Sequence, residues 1–257
     1  MKNTDRELFA DQFDKLAPYY DEVMSVVPYR QWVQYIRRIL SKFDYEPRDV
    51  LDIACGTGSV EKYLVKKGYR ITGIDLSPGM IKTAQDKAVE HEMKDVQYLV
   101  MDAAKMTFSE EFDLAISLFD SINYVLSSKA VQDIFKCTYS ALRPGGYFIF
   151  DLNSEYALEQ NLFTQDNYDD EMATVKHQWN SKYNKKTRIA TVEMFFYLSD
   201  GRVFKEIHKE RAHQHMDVIH WLKDAGFQFV DAYDAYSFLP IGKRSDRIFY
   251  VVKKADV

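Results

Sequence analysis

The stretch VLDIACGTGSV, Val50 to Val60, decides how this chain is read. An apolar run ends in a loop carrying two glycines, Gly56 and Gly58, and a helix-like pattern follows. A strand, a glycine turn and a helix in that order open a nucleotide-binding βαβ unit. Glycine lets the backbone turn sharply and lets a ligand approach without meeting a side chain. A dinucleotide loop carries a third glycine and presents bare N–H groups to a pyrophosphate. Here the third glycine is missing, Glu61 sits early in the next helix, and Asp52 precedes the turn. Two acids beside the loop suit a cationic or zwitterionic ligand better than a pyrophosphate, which weighs against an NAD-dependent oxidoreductase.

Downstream, Asp75 lies 19 residues after Gly56, at the end of the apolar run RITGID. That spacing places a carboxylate where it accepts hydrogen bonds from ribose hydroxyls. Between the two, SVEKYLVKKG reads as a helix stopped by Gly68. SPGMIKTAQDKAVEHEM reads as a helix capped by Ser77 with Pro78 at its first position. VQYLVMD and FDLAISLF are further strands, KAVQDIFKCTYSALRPGG a helix ended by Pro144, Gly145 and Gly146, and YFIFDL a fifth strand. Such alternation implies parallel strands with right-handed crossovers, a doubly wound sheet. Upstream, Leu8, Phe9, Phe13 and Leu16 form one helical stripe and Trp32, Tyr35, Ile36 and Ile39 a second, with Pro18 between them.

From about Asn153 the rhythm changes. ATVKHQWNSKY, RIATVEMFFYL and VFKEIHKERAH read as strands without helices between them, with turns at Asn184-Lys185 and Asp200-Gly201. MDVIHWLKDAG resumes as a helix, and FQFVDAY and RIFYVVKK are two closing strands.

The chain has 257 residues, 46% of them hydrophobic, enough for one large domain or a core with a modest insert. A formal charge of −5 without a basic cluster disfavours a nucleic-acid partner. Two distant cysteines, Cys55 and Cys137, indicate neither a disulfide framework nor a zinc site, so no metal is expected. The first residues, MKNTDRELFADQFDKLAPYYDEVM, lack the apolar core of a signal peptide, and no apolar run is long enough to span a bilayer. A cytoplasmic protein with no membrane partner is expected.

The motifs VLDIACGTG, GIDLSPGMI, VQYLVMDA, FDLAISLFDSINYV and LRPGGYFIFD, in this order, resemble those of class I (Rossmann-like) S-adenosylmethionine-dependent methyltransferases. The resemblance covers about residues 12–152 and roughly the last forty. It implies an α/β fold: a doubly wound, mostly parallel seven-stranded sheet with an antiparallel last strand, an N-terminal helical lid and a small antiparallel β insert. Residues 1–152 and 213–257 would form the core, 1–45 its helical lid, and 153–212 the insert that caps the active site. S-adenosyl-L-methionine is then the implied cofactor and S-adenosyl-L-homocysteine the product. The resemblance puts Gly56 and Gly58, with Ala54 and Cys55, under the methionine part, and has Asp52 orient the loop and the methionine amine. Asp75 would hold the ribose, with Leu76 against the adenine and Met80 nearby. Asp102 and Ala103 would meet the adenine edge, and Leu118 and Phe119 the reacting centre. APYYDEVM resembles a lid segment, so Tyr20, and with it Trp32, would close over the cofactor.

The β-rich insert resembles that of sugar-amine N-methyltransferases and glycine-methyltransferase-like enzymes. LFDSINY lacks the Asn/Asp-Pro-Pro-Tyr/Phe pattern of enzymes that methylate nucleic-acid amino groups. A small-molecule acceptor, an amine by preference, is therefore expected, on a monomer or homodimer. The alternatives are an RNA-directed methyltransferase and a cofactor-binding protein without catalysis. No base is fixed by the sequence; Tyr19, His208 and Arg211 are candidates. His208 and Arg211 otherwise belong to a polar outer strand face, and Phe195, Phe196 and Tyr197 to packing. His213 and His215, two apart, are expected on one face of a strand, as surface histidines. Cys55 is expected as a small loop residue, not a nucleophile.

Overall fold

A computed structural model of the protein describes residues 13–170 and 173–256. Leu8 and Phe9 of the first expected stripe lie outside the described residues. Seven strands form one sheet: β1 (Asp49–Ile53), β2 (Arg70–Asp75), β3 (Val96–Val100), β4 (Phe112–Ser117), β5 (Leu142–Asn153), β9 (Gln228–Asp234) and β10 (Arg247–Lys253). Their spatial order is β3-β2-β1-β4-β5-β10-β9. β1 to β5 pair in parallel, and β10 runs antiparallel to both its neighbours. The order reverses between β1 and β4, the crevice where an open α/β sheet binds its ligand.

Helices cover both faces. On one, α5 (Ser128–Ala141) and α7 (His215–Asp224) bury Val131, Ile134, Phe135, Val218 and Leu222 against Phe148 and Phe150. On the other, α2 (Tyr29–Ser41) and α3 (Glu61–Val65) bury Trp32, Ile36, Ile39 and Leu64 against Val50, Ile116 and Ile149. α4 (Pro78–Glu90) begins at Ser77, whose hydroxyl accepts from Met80 N at 3.1 Å, and packs on β3 through Ile81, Ala84 and Tyr98. The short α1 (Tyr20–Val23) precedes α2.

A separate three-stranded antiparallel sheet holds β6 (Val175–Asn184), β7 (Ile189–Leu198) and β8 (Val203–Arg211), in the order β6-β7-β8. Its turns lie after Asn184, whose side-chain oxygen accepts from Lys186 N and Thr187 N, and at Gly201, with φ +85°.

Three details differ from the sequence reading. α5 ends at Ala141, and β5 already begins at Leu142, because Arg143 precedes Pro144 and is biased away from helical backbone. A short helix, α6 (Glu155–Glu159), stands between β5 and β6, capped by Ser154, whose hydroxyl accepts from Ala157 N. His213 and His215 share no strand face: β8 ends at Arg211 and His215 opens α7. Instead His213 Nε2 lies 3.1 Å from the Val125 carbonyl, and His215 Nδ1 lies 3.1 Å from Tyr250 Oη.

Candidate active site

A cavity of about 430 Å³ opens at the carboxyl ends of β1, β2 and β4 and runs under the three-stranded sheet. Its two ends are built differently.

The first end is built on the glycine loop. Ala54 and Gly56 both take positive φ, +61° and +56°. A Cβ on Gly56 would meet nothing within 4 Å, so the space against this backbone is open to a ligand. Asp75 is fixed by backbone donors: Gly56 N donates to Oδ2 and Ser77 N to Oδ1, each at 2.9 Å. Burial raises its carboxyl above the usual range, while those N–H groups pull it back down. Leu76, Met80, Met101, Asp102, Ala103 and Ile134 continue the wall. Asp102 Oδ1 accepts from Ala104 N at 2.9 Å. Asp52 lines the cavity 2% exposed, with fully buried Glu61 beside it. Burial raises both carboxyls, and their proximity lifts Asp52 further. Ser117 Oγ, buried and without a partner, also borders the cavity.

Both glycines take positive φ, but their surroundings separate them by role. Gly58, at φ +77°, does not line the cavity; a Cβ there would lie 2.4 Å from Tyr98 Oη. Its smallness serves packing against β3.

The lid is pinned by three carboxylates. Asp14 Oδ1 accepts from Gly79 N at 3.0 Å and from the Ser77 hydroxyl. Asp21 accepts from Thr57 Oγ1 at 2.5 Å and Ser59 Oγ at 3.0 Å, and pairs with Lys87. Glu22 accepts from Val175 N at 2.8 Å on β6 and from the Thr174 hydroxyl. These contacts hold Tyr20 on the cavity wall, and the packing of α2 holds Trp32 there, against Phe119 at 5.2 Å between centroids.

The second end gathers side chains from distant stretches. After β4, Phe119 and Asp120 both adopt positive φ, +64° and +52°. Asp151 holds this strained pair, accepting from Phe119 N at 2.8 Å and Asp120 N at 3.0 Å. Arg247 bridges Asp151 and Asp120, the latter at 2.8 Å, and lies over the Phe119 and Phe163 rings. Burial lowers the guanidinium's affinity for its proton, but the two aspartates more than compensate. Asn153 Nδ2 donates to Glu210 Oε2 at 2.9 Å, and its own Oδ1 is buried without a partner. Burial raises the Glu210 carboxyl.

Of the candidate bases, only His208 reaches the cavity. It is 1% exposed and faces inward, so the outer-face expectation fails for it. Tyr19 lies outside the wall, its hydroxyl accepting from Arg202 Nη2 at 3.2 Å and its ring against Phe204. Arg211 is half-buried and also off the wall. Tyr124, Asn153, Glu210 and Arg247 were not singled out in the sequence. EIHKE, Glu206 to Glu210, carried a usable signal: period two puts Glu206, His208 and Glu210 on one face.

A seven-stranded sheet with β10 antiparallel, a glycine loop at its switch point and an acid closing β2 define a Rossmann-like binding protein for a nucleoside-bearing ligand. Residues 50–146 match a family model described as a methyltransferase domain. The protein YqeM of Bacillus subtilis (strain 168) is 29% identical over 247 residues, covering 95% of this chain and 97% of that one. The crystal structure of an S-adenosylmethionine-dependent methyltransferase from Clostridium acetobutylicum ATCC 824 matches at TM-score 0.83 and 31% identity, over 95% of this chain and 99% of that one. The sugar N-methyltransferase KedS8 from Streptoalloteichus sp ATCC 53650 shares the fold at TM-score 0.69 and 18% identity, over 90% of each chain. This chain belongs to the class I S-adenosylmethionine-dependent methyltransferases.

Proposed function

We propose that the protein transfers a methyl group from S-adenosylmethionine to the amine of a small molecule. The observation that carries the acceptor is the polarity of the cavity's second end. Its buried, inward-facing oxygens, Glu210 and the unpartnered Asn153 Oδ1, are acceptors, and the Arg247 cation is already engaged by Asp120 and Asp151. Such a wall favours a ligand that brings hydrogen-bond donors and positive charge. The fold shared with a sugar N-methyltransferase supports the same reading.

The first end fits the cofactor on three observations: open space at Gly56, a fixed carboxylate at Asp75, and the unpartnered Ser117 hydroxyl. When bound, S-adenosylmethionine supplies a methyl group activated by its sulfonium. The residues then orient and exclude water. Asp75 accepts from the ribose hydroxyls, Asp52, with Glu61 buried behind it, faces the methionine ammonium, and Met80 and Leu76 flank the adenine. Tyr20, Trp32 and Phe119 present aromatic faces to a cation. Fixed alignment of nucleophile and methyl supplies most of the rate.

The test has two parts. Asp75→Ala is expected to weaken S-adenosylmethionine binding at least about tenfold in calorimetry, the loss of two charge-assisted hydrogen bonds; unchanged affinity would overturn the cofactor placement. Labelled S-adenosylmethionine incubated with a pool of small amines is expected to yield labelled N-methyl product. Cofactor binding without transfer would instead mark a binding protein.

A further inference from the structure

We propose that Tyr124, His208 and Glu206 form a proton relay that deprotonates an ammonium acceptor held beside Glu210. The inference rests on the amine reading above. It starts from an order of contacts. His208 Nε2 lies 2.8 Å from Glu206 Oε2, and His208 Nδ1 lies 3.3 Å from Tyr124 Oη. Glu206 is 5% exposed and stands behind the wall, whereas Tyr124 and His208 border the cavity. A carboxylate accepting from Nε2–H leaves the Nδ1 lone pair turned to the tyrosine hydroxyl.

The pieces come from separate elements that are clamped together. Tyr124 ends the helical turn Ser121–Tyr124, and His208 sits mid-way along β8. Asn123 Nδ2 donates to the carbonyls of Arg211 at 2.9 Å and Asn153 at 3.1 Å, and Asn123 Oδ1 accepts from Asn153 N. The clip fixes the turn to the end of β8. Phe13 of the lid lies edge-on to His208, with centroids 4.6 Å apart, and to Tyr124 at 5.4 Å, shielding both rings.

A purely structural His–Glu pair would be an expensive brace: two desolvated polar groups are often replaceable by apolar side chains without loss. Here the pair ends at a hydroxyl on the cavity wall, beside Glu210 and the unpartnered Asn153 Oδ1. Other charged or titratable groups facing it are Tyr20 of α1, Lys15 before it, Asp120 after β4 and, through Glu210, Arg247. Burial pushes the Tyr124 hydroxyl well above the usual phenol range, so it hands a proton on and does not rest as phenolate.

Alkylamines are ammonium ions at neutral pH and have no lone pair to attack with. In the proposed step the ammonium proton moves to Tyr124 Oη while the tyrosine proton moves to His208 Nδ1, giving a neutral amine and an imidazolium paired with Glu206. The freed nitrogen pair then forms the N–C bond as the methyl C–S bond breaks, its electrons staying on sulfur. Tyr124 and His208 are catalytic in this scheme; Glu206 is a positioning residue.

The relay is tested with two probe sets run against the full-length protein and labelled S-adenosylmethionine: benzylamine, cyclohexylamine and glucosamine, which are protonated at neutral pH, and aniline and 4-methylaniline, which are not. His208→Gln is expected to lose about a hundredfold or more in kcat/KM with the first set and to stay within about threefold with the second. With the alkylamines, its rate should keep rising about tenfold per pH unit, as free amine replaces the missing base, where the unaltered protein levels off. Tyr124→Phe and Glu206→Gln should show the same split at smaller size, with S-adenosylmethionine affinity unchanged in calorimetry. Equal losses on both probe sets, or an unaltered pH profile, would overturn the relay. If the unaltered protein binds cofactor but methylates no probe of either set, the amine reading fails and the relay falls with it. Thermal melting of each variant separates either result from misfolding.

Discussion

The two ends of the cavity are held by different physics. At the cofactor end the contacts are mostly backbone: N–H groups of Gly56 and Ser77 hold Asp75, and parallel pairing of β1 with β2 and β4 fixes where the loop begins. At the acceptor end the elements are joined side chain to side chain, although Asp151 also accepts from Phe119 N and Asp120 N. Asp120, Asp151, Asn153, Glu210 and Arg247 come from the β4 exit, β5, β8 and β10. A backbone-built site follows from the fold. A side-chain network depends on every member, because removing one leaves its partner buried and unpaired.

Arg247 gives that contrast its largest expected effect. Arg247→Met would leave Asp120 and Asp151 uncompensated in a buried setting, at a cost of about 3–5 kcal/mol. Denaturant unfolding would measure it. A loss under about 1 kcal/mol would show that the acceptor end tolerates single deletions as a backbone-built site does.

Gly58 makes the corresponding test at the cofactor end. In Gly58→Ala, the new Cβ would lie 2.4 Å from Tyr98 Oη, at a φ of +77° that L-residues rarely adopt. An expected loss of about 2–3 kcal/mol combines overpacking with backbone strain. Adding Tyr98→Phe removes the hydroxyl and should recover about 1 kcal/mol, leaving the φ penalty and the ring-edge carbon at 2.9 Å. No recovery would place the cost in the backbone and that ring carbon, not in the hydroxyl.

How much of each end was legible follows from the same difference. A glycine loop and a carboxylate 19 residues later are local in sequence, and Asp52, Gly56 and Asp75 stand out in one βαβ unit. Glu210 and Arg247 meet at Asn153, which donates to Glu210 and is the ladder partner of Arg247, and nothing in their spacing says so. β8 was legible as a strand but not as to which face turned inward, because EIHKE is polar on one face and mixed on the other. Burial of Glu206, His208 and Glu210 is a tertiary outcome: β8 packs its polar face on the Ser121–Tyr124 turn. Gly58 shows the converse limit. Sequence pairs it with Gly56, yet one glycine opens space for a ligand and the other for a tyrosine.

The cofactor end also carries a cost that pH exposes. Burial lifts the Glu61 carboxyl from its ordinary 4.5 to about 7. A carboxyl raised by folding gains a proton on folding, so its contribution is fully present below about pH 4.5 and is lost as pH rises through about 7. Stability of the ligand-free protein should therefore fall across that interval. Glu61→Gln should flatten the fall and be more stable by about 2 kcal/mol at pH 8, read by denaturant midpoints. The same variant should bind S-adenosylmethionine more weakly, since a charge that is unfavourable alone becomes favourable beside the methionine ammonium. A variant no more stable than the parent at pH 8 would mean that Asp52 and Glu61 are already relieved by sharing one proton.

The smallest effect is expected where the two ends meet, at the lid. Asp21 joins the lid to the glycine loop through Thr57 and Ser59 and to α4 through Lys87. It is 42% exposed, so Asp21→Ala should cost under about 1 kcal/mol of stability. Its effect should appear in kinetics. Tyr20, next to Asp21, sits on the wall only while this segment is docked, and Glu22 keeps a second tether on β6. Losing one of the tethers should raise the dissociation rate of S-adenosylhomocysteine about three- to tenfold, with a smaller change in its association rate. Stopped-flow displacement measures both. If Asp21→Ala and Glu22→Ala each leave dissociation unchanged while the double variant speeds it, the tethers are redundant and the lid belongs to both ends of the cavity at once.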